Sequence, residues 1–196
     1  MKNKILVLLL LMVFTQVSLH GQTLLYNIKL NEELMGKMSA VKKGNKEKSY
    51  QIESNIKVEK MISVEMYYLI RSEFDKKGLV KSTAKETANG KEYMNTETTR
   101  QTEGYAVKTL KEQSQIKGRQ IDYNLCMIYF QEPIGVSEIW SDSFGEFFKI
   151  KPAGKNRYEL LLPGGKSSFY SYYKGICTTV ETDMPFGKIT FTLTGK

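Results

Sequence analysis

The sequence predicts an all-β fold with minor α content: a strongly curved, mostly antiparallel meander sheet or open barrel, with one short covering helix. Three observations predict it. Apolar residues recur with a period of two along most of the chain. Glycine- and asparagine-containing turn signals separate those runs at short intervals. One segment alone departs from the alternation, and it has helical spacing.

The N-terminus comes first and has a different purpose. Lys2 and Lys4 precede the apolar run Ile5 to Val17, which is broken by Thr15 and Gln16, and Ser18 and Gly21 follow. A positive start, an apolar stretch of about 7–15 residues and a small residue at the cut describe a secretory signal peptide. Cleavage is expected after Gly21, so residues 1–21 are lost and Gln22 becomes the new N-terminus. The alternative is an uncleaved anchor, but a spanning helix needs about 20 apolar residues. No cysteine stands near the cut, since the first is Cys126, and a lipid anchor there is not expected. The product should be periplasmic or secreted. No later apolar run approaches spanning length, so no transmembrane segment is expected after signal removal.

Residues 22–196 then form a single domain. In Tyr26 to Asn31, Tyr26, Ile28 and Leu30 alternate with polar residues. From Met61 to Phe74 the even positions carry Ile62, Val64, Met66, Tyr68, Ile70 and Phe74, with Ser72 the exception. That is a long strand with one strongly apolar face. Similar runs follow at Leu79–Thr87, Tyr93–Arg100, Tyr105–Leu110, Tyr158–Leu162, Phe169–Tyr173, Ile176–Thr182 and Ile189–Thr194. Asn89-Gly90 between two of them predicts a type I′ hairpin, because both central residues must accept positive φ. Roughly ten strands are expected. The exception is Asp122 to Phe130, where Leu125, Ile128 and Tyr129 have i, i+3, i+4 spacing. Asp122 can cap a short buried helix there, and Glu132-Pro133 would end it; a fully buried strand is the alternative.

Charge and motifs exclude more than they assign. Losing Lys2 and Lys4 lowers the formal net charge from +8 to +6. The lysines are dispersed, as on solvated strand faces and protected edges, and an exported basic chain is not expected to bind nucleic acid. Attraction to anionic lipid or glycan is the other reading of the charge. The one histidine, His20, falls in the signal segment, which removes Ser-His and Cys-His catalysis from the mature chain. Ser-x-x-Lys occurs five times, at Ser39, Ser54, Ser82, Ser114 and Ser171, without the Ser-Asp-Asn and Lys-Thr-Gly companions of penicillin-binding proteins. All five lie in strand-like or turn-like sequence, where residues three apart point to opposite faces. Glu138, Asp142 and Glu146 are spaced by four, but Gly145 and the aromatics around it argue for two strands and a turn. No phosphate loop or dinucleotide fingerprint occurs, and neither a cofactor nor a metal nor a catalytic residue is expected; the alternative is a hydrolase without histidine, using only Asp, Glu, Tyr and Lys. Cys126 and Cys177 permit a disulfide in an oxidising compartment or serve as small core residues.

Aromatic residues are numerous, with 12 Tyr, 9 Phe and 1 Trp, and they gather late in the chain. Met66, Tyr68 and Ile70 fall mid-strand on an apolar face, and Trp140, Phe148, Tyr170 and Tyr172 are the aromatics best placed to join them. These seven are the expected ligand-lining residues. The alternative is that they simply fill a core.

Tyr129-Phe130-Gln131-Glu132-Pro133, Ser141 to Gly145, Tyr158-Glu159-Leu160 with Leu162-Pro163 and Gly165, and Tyr170 and Tyr172 with Gly175 together resemble an uncharacterised family of exported bacterial proteins, classed as a domain of unknown function. The resemblance covers most of the mature chain and implies a curved antiparallel sheet, with no activity to carry over. In architecture only, the pattern is also similar to envelope lipoprotein carriers, which wrap a half-barrel around a short helix. The function expected is a non-enzymatic cell-envelope protein binding an apolar or lipid-like ligand in its curved sheet. The alternative is a structural or protein-interaction module with a filled core and an envelope protein as partner. A cavity of roughly 300 Å³ or more would favour the first.

Overall fold

The computed structural model describes residues 21–59, 63–184 and 187–196. The expected signal peptide up to His20, and Met61 and Ile62 of the long apolar strand, lie outside the described residues. Gly21 is exposed and immediately precedes the first strand.

Alternation becomes pairing along nearly the whole chain. β1 (Gln22–Leu30), β2 (Glu33–Lys43), β3 (Lys48–Glu59), β4 (Ser63–Asp75), β5 (Gly78–Ala88), β6 (Lys91–Gln101), β7 (Gly104–Lys108) and β8 (Gln113–Lys117) make one antiparallel meander. β9 (Glu138–Ser141), β10 (Glu146–Pro152), β11 (Arg157–Leu162), β12 (Lys166–Tyr173), β13 (Ile176–Met184) and β14 (Gly187–Gly195) make a second. β1 pairs with β14, so the two meanders fuse into a single sheet running β8 to β1 and then β14 to β9. Its edges, β8 and β9, do not pair with each other, and the sheet is rolled without closing.

The fourteen strands exceed the ten expected. β8 reads Gln-Ser-Gln-Ile-Lys and carries no hydrophobic period. In β3, Ser54 interrupts the alternation of Tyr50, Ile52 and Ile56, yet Ser54 is buried on the same face. In β2 a register shift opposite Ile28/Lys29 turns both Met35 and Met38 inward, which a strict period of two does not allow. The hairpin between β5 and β6 forms as predicted: Asn89 and Gly90 have φ of 49° and 76°. Asn31 and Glu32 adopt the same geometry at 48° and 72° without a glycine.

The concave side is filled from within. Between β8 and β9, residues 118–137 cross the interior, with Ile121, Cys126 and Ile128 fully buried. The expected helix over Asp122–Phe130 contracts to one 3-10 turn, Met127–Tyr129. Its physical reason is that the segment finds its backbone partners elsewhere. Leu125 N–H donates to the Trp140 carbonyl at 3.1 Å and Trp140 N–H donates to the Tyr123 carbonyl at 3.0 Å. Tyrosine hydroxyls take up other carbonyls: Tyr172 donates to Ile128 at 2.9 Å, and Tyr123 donates to Gln131. Asp122 does not cap the turn; it is exposed and accepts a bond from the Gln120 amide. Asn124 accepts from Met127 N–H instead, at 3.1 Å.

The β9–β10 turn folds into the same concavity and rests on β6 and β7. Thr96 Oγ1 donates to the Ser143 carbonyl at 2.7 Å. Gly145, at φ +69°, approaches so closely that an added Cβ would lie 2.6 Å from Val107 Cγ1. This inward fold gives the sheet its barrel-like roll.

Candidate functional site

Two features inside the roll have chemistry, and they differ in access. The first is a buried polar cluster. Asp142 is fully buried, and both its carboxylate oxygens accept from Asn124 Nδ2, at 2.9 and 3.0 Å. Burial pushes its pKa up to about 6, against the opposing pull of the Asn124 bonds. Beside it, Ser72, Ser82 and Thr98 form a row across β4, β5 and β6. Their hydroxyls, and the Trp140 indole N–H, are buried without a hydrogen-bond partner among the described residues. A perturbed carboxyl invites a catalytic reading, but this one is sealed from any substrate. The Cys126 and Cys177 thiols are free and buried, and burial raises the pKa of each, that of Cys177 to about 12. A thiol held protonated in this way is a core residue.

The second feature is open. Towards the β3–β4 end of the roll the described residues leave a hollow of about 180 Å³. It is lined by Met38 of β2, Ile52, Ser54 and Ile56 of β3, Met66 and Tyr68 of β4, Glu86 of β5, Phe191 of β14, and Tyr129. The strands that supply these residues are neighbours in the sheet, and the alternation of each points the named side chain inward. Tyr129 comes from the 3-10 turn and packs edge-on against Tyr26 and Tyr170, with centroids 5.4 and 6.4 Å apart. Tyr68 closes the inner end, its hydroxyl 2.6 Å from Ser143 Oγ. Among these residues the charged one is Glu86, opposite Tyr68 in the ladder. It is half-buried and has no hydrogen bond or ion pair among the described residues, and loss of solvent raises its pKa.

With this geometry described, comparison with known proteins places the chain. A family model for a domain of unknown function matches residues 26–194. The chain belongs to the DUF6134 family. This DUF6134 domain is also similar in fold to a crystal structure of a beta-barrel-like protein of domain of unknown function DUF1849 from Brucella abortus. The TM-score is 0.59 at 11% identity, covering 90% of this chain and 96% of that one. Among curated proteins none is significantly similar in sequence.

The DUF6134 domain does not gather the seven expected lining residues in one place. Met66 and Tyr68 line the hollow. Ile70, two positions further along β4, is 2% exposed and belongs to the packed core, together with Trp140, Phe148, Tyr170 and Tyr172. Tyr158 stacks edge-on with Tyr172 at 5.6 Å, and Phe147 with Trp140 at 5.1 Å. Met38, Ile56, Glu86, Tyr129 and Phe191 line the hollow without having been singled out from sequence. A signal for Glu86 was present: it follows Ser82 and Ala84 at inward positions of β5, an acid on an apolar face. Tyr129 had none, because its place depends on the path of the interior segment.

Among the described residues no helix is long and apolar enough to cross a membrane. Glu138 and Glu146 are exposed on β9 and β10 while Asp142 is buried between them. That arrangement follows two strands and a turn, as the aromatics around Gly145 predict.

Proposed function

We propose that this protein is an exported, non-enzymatic component of the cell envelope that binds the apolar part of an amphipathic molecule in the hollow between β2–β5, β14 and Tyr129. The observation that carries the reading is a space with a mostly apolar lining on the inner face of the sheet. Its 180 Å³ falls short of the ~300 Å³ that would favour ligand binding over a filled core, and it can enclose only part of a guest. The protein therefore takes the end of a chain and leaves the remainder of the molecule outside. Met38 and Met66 suit this role, since unbranched thioethers repack around irregular apolar guests.

The test uses N-phenyl-1-naphthylamine, a neutral fluorescent apolar probe. The wild-type protein should enhance its fluorescence saturably, and Met66→Trp, which fills the hollow, should reduce binding by roughly tenfold or more, about 1.4 kcal/mol. Saturable binding unchanged by Met66→Trp would place the probe elsewhere and overturn the site. Export is tested on protein recovered from the envelope fraction, whose intact mass should lack residues 1–21. A full-length mass there would remove the cleaved signal from the proposal.

A second reading has its own support. Ile70, Trp140, Phe148, Tyr170 and Tyr172 sit in a filled core, as a structural or interaction module of the envelope requires. Absence of probe binding to a folded wild-type protein would decide for that module.

A further inference from the structure

Resting on the binding reading above, we infer that the hollow selects an amphipathic amine, with Glu86 as the residue that recognises the cationic head. The inference starts from where charges are paired and where one is not. On the outer face of the sheet two lysines of β5 meet carboxylates of β6: Lys85 meets Glu92 at 2.7 Å and Lys81 meets Glu97 at 2.6 Å. Strand alternation turns Lys85 outward and Glu86 inward, so the nearest lysine in sequence is committed to the opposite face. Among the described residues Glu86 has no ion-pair partner, in a chain with 29 Lys and Arg against 21 Asp and Glu.

The position is also shaped. The ladder between β5 and β6 shifts register immediately after Glu86, so that Glu86 opposes Met94 and Thr87 opposes Glu92. The residue left over is Tyr93, which is 62% exposed. A bulge of this kind re-aims the side chain beside it. Glu86 lines the hollow together with Met66, Tyr68 and Ile56 and keeps part of its surface in solvent. An unpaired carboxylate beside apolar walls costs free energy unless a cation meets it. A guest with an alkyl chain and an ammonium head satisfies both the apolar lining and Glu86, whereas a fatty-acid carboxylate would be repelled by Glu86. Electrostatic matching of this type discriminates by sign more than it adds affinity.

Decylamine, decanol and decanoate carry the same chain with a positive, neutral and negative head at neutral pH. Each is titrated against wild-type and Glu86→Gln protein, by displacement of the naphthylamine probe and independently by calorimetry. Wild-type protein should bind decylamine roughly tenfold or more above decanoate, and Glu86→Gln should bring the amine down to the level of the alcohol. Decanol binding should be equal in the two proteins, which also shows that the variant is folded. If decanol binds but the amine preference is missing, or survives in Glu86→Gln, the hollow stands and the role of Glu86 falls. If decanoate binds best, the inference is reversed in sign. If none of the three binds a folded wild-type protein, the binding reading and this inference fall together.

Discussion

An aspartate at position 70 should abolish the folded state, while an aspartate four residues earlier, at position 66, should leave it standing. Both side chains lie on the inward face of β4, and their surroundings separate them. Ile70 is enclosed in the core, so Ile70→Asp buries a carboxylate with no partner and costs several kcal/mol. That is a large fraction of the ~5–15 kcal/mol that holds a domain together. Met66 borders the hollow, and an aspartate there can stay hydrated. Ile70→Asp should show no cooperative thermal transition. Met66→Asp should melt within a few degrees of wild type and lose the apolar probe. Loss of the transition in both variants, together with no probe binding to wild type, would mean that the space at Met66 is closed in solution.

Asp142 should make the protein less stable as pH rises from about 4 to about 6. Burial holds its folded pKa at about 6, against an ordinary value of 3.8. Over that interval the folded state binds the proton more tightly than the unfolded chain, so raising pH favours unfolding. Above about pH 6 the penalty is complete, up to ~3 kcal/mol at 1.36 kcal/mol per unit. Asp142→Asn removes the titration while keeping the shape. Its amide oxygen can still accept from Asn124, while its NH2 replaces the second of the two oxygens that Asn124 Nδ2 meets. Urea unfolding of both proteins at pH 4 and pH 7.5 checks this. The variant should gain on wild type by up to ~3 kcal/mol at the higher pH, with all other carboxylates cancelling in the difference. A difference independent of pH would show that Asp142 is not the group that couples stability to the proton.

These two positions also show how far sequence reading reaches. The even-numbered face of β4 was legible because strand alternation is a local rule, and it correctly turns Met66, Tyr68, Ile70 and Phe74 inward. What it cannot supply is depth. Met66 and Ile70 carry the same signal, and only the path of residues 118–137 decides that one is covered and the other is not. That path was illegible for a physical reason. Its backbone groups are satisfied by hydroxyls of Tyr105, Tyr123 and Tyr172 and by the edge of β9, side-chain and strand-edge partners that helical spacing does not register. Local spacing at Leu125, Ile128 and Tyr129 therefore read as a helix where a single turn forms. Asp142 was visible only as one of three evenly spaced acids, and its burial depends on the β9–β10 turn folding inward onto Thr96 and Val107.

The pairing of β1 with β14 sets an order of assembly. Within each meander every strand meets a neighbour close in sequence, and such local pairing closes small loops quickly. The seam between the meanders is different: Tyr26 lies opposite Leu193 and Ile28 opposite Phe191, so the first strand of the domain waits for the last. A chain made from its N-terminus therefore carries β1 with one side unpaired until β14 has been made. Its exposed edge is a template for wrong partners throughout that time. The same seam brings the two ends of the domain together at the middle of the sheet. Joining them by a short linker and opening the chain between β8 and β9 would turn the slowest contact into a hairpin, without altering a residue of the hollow.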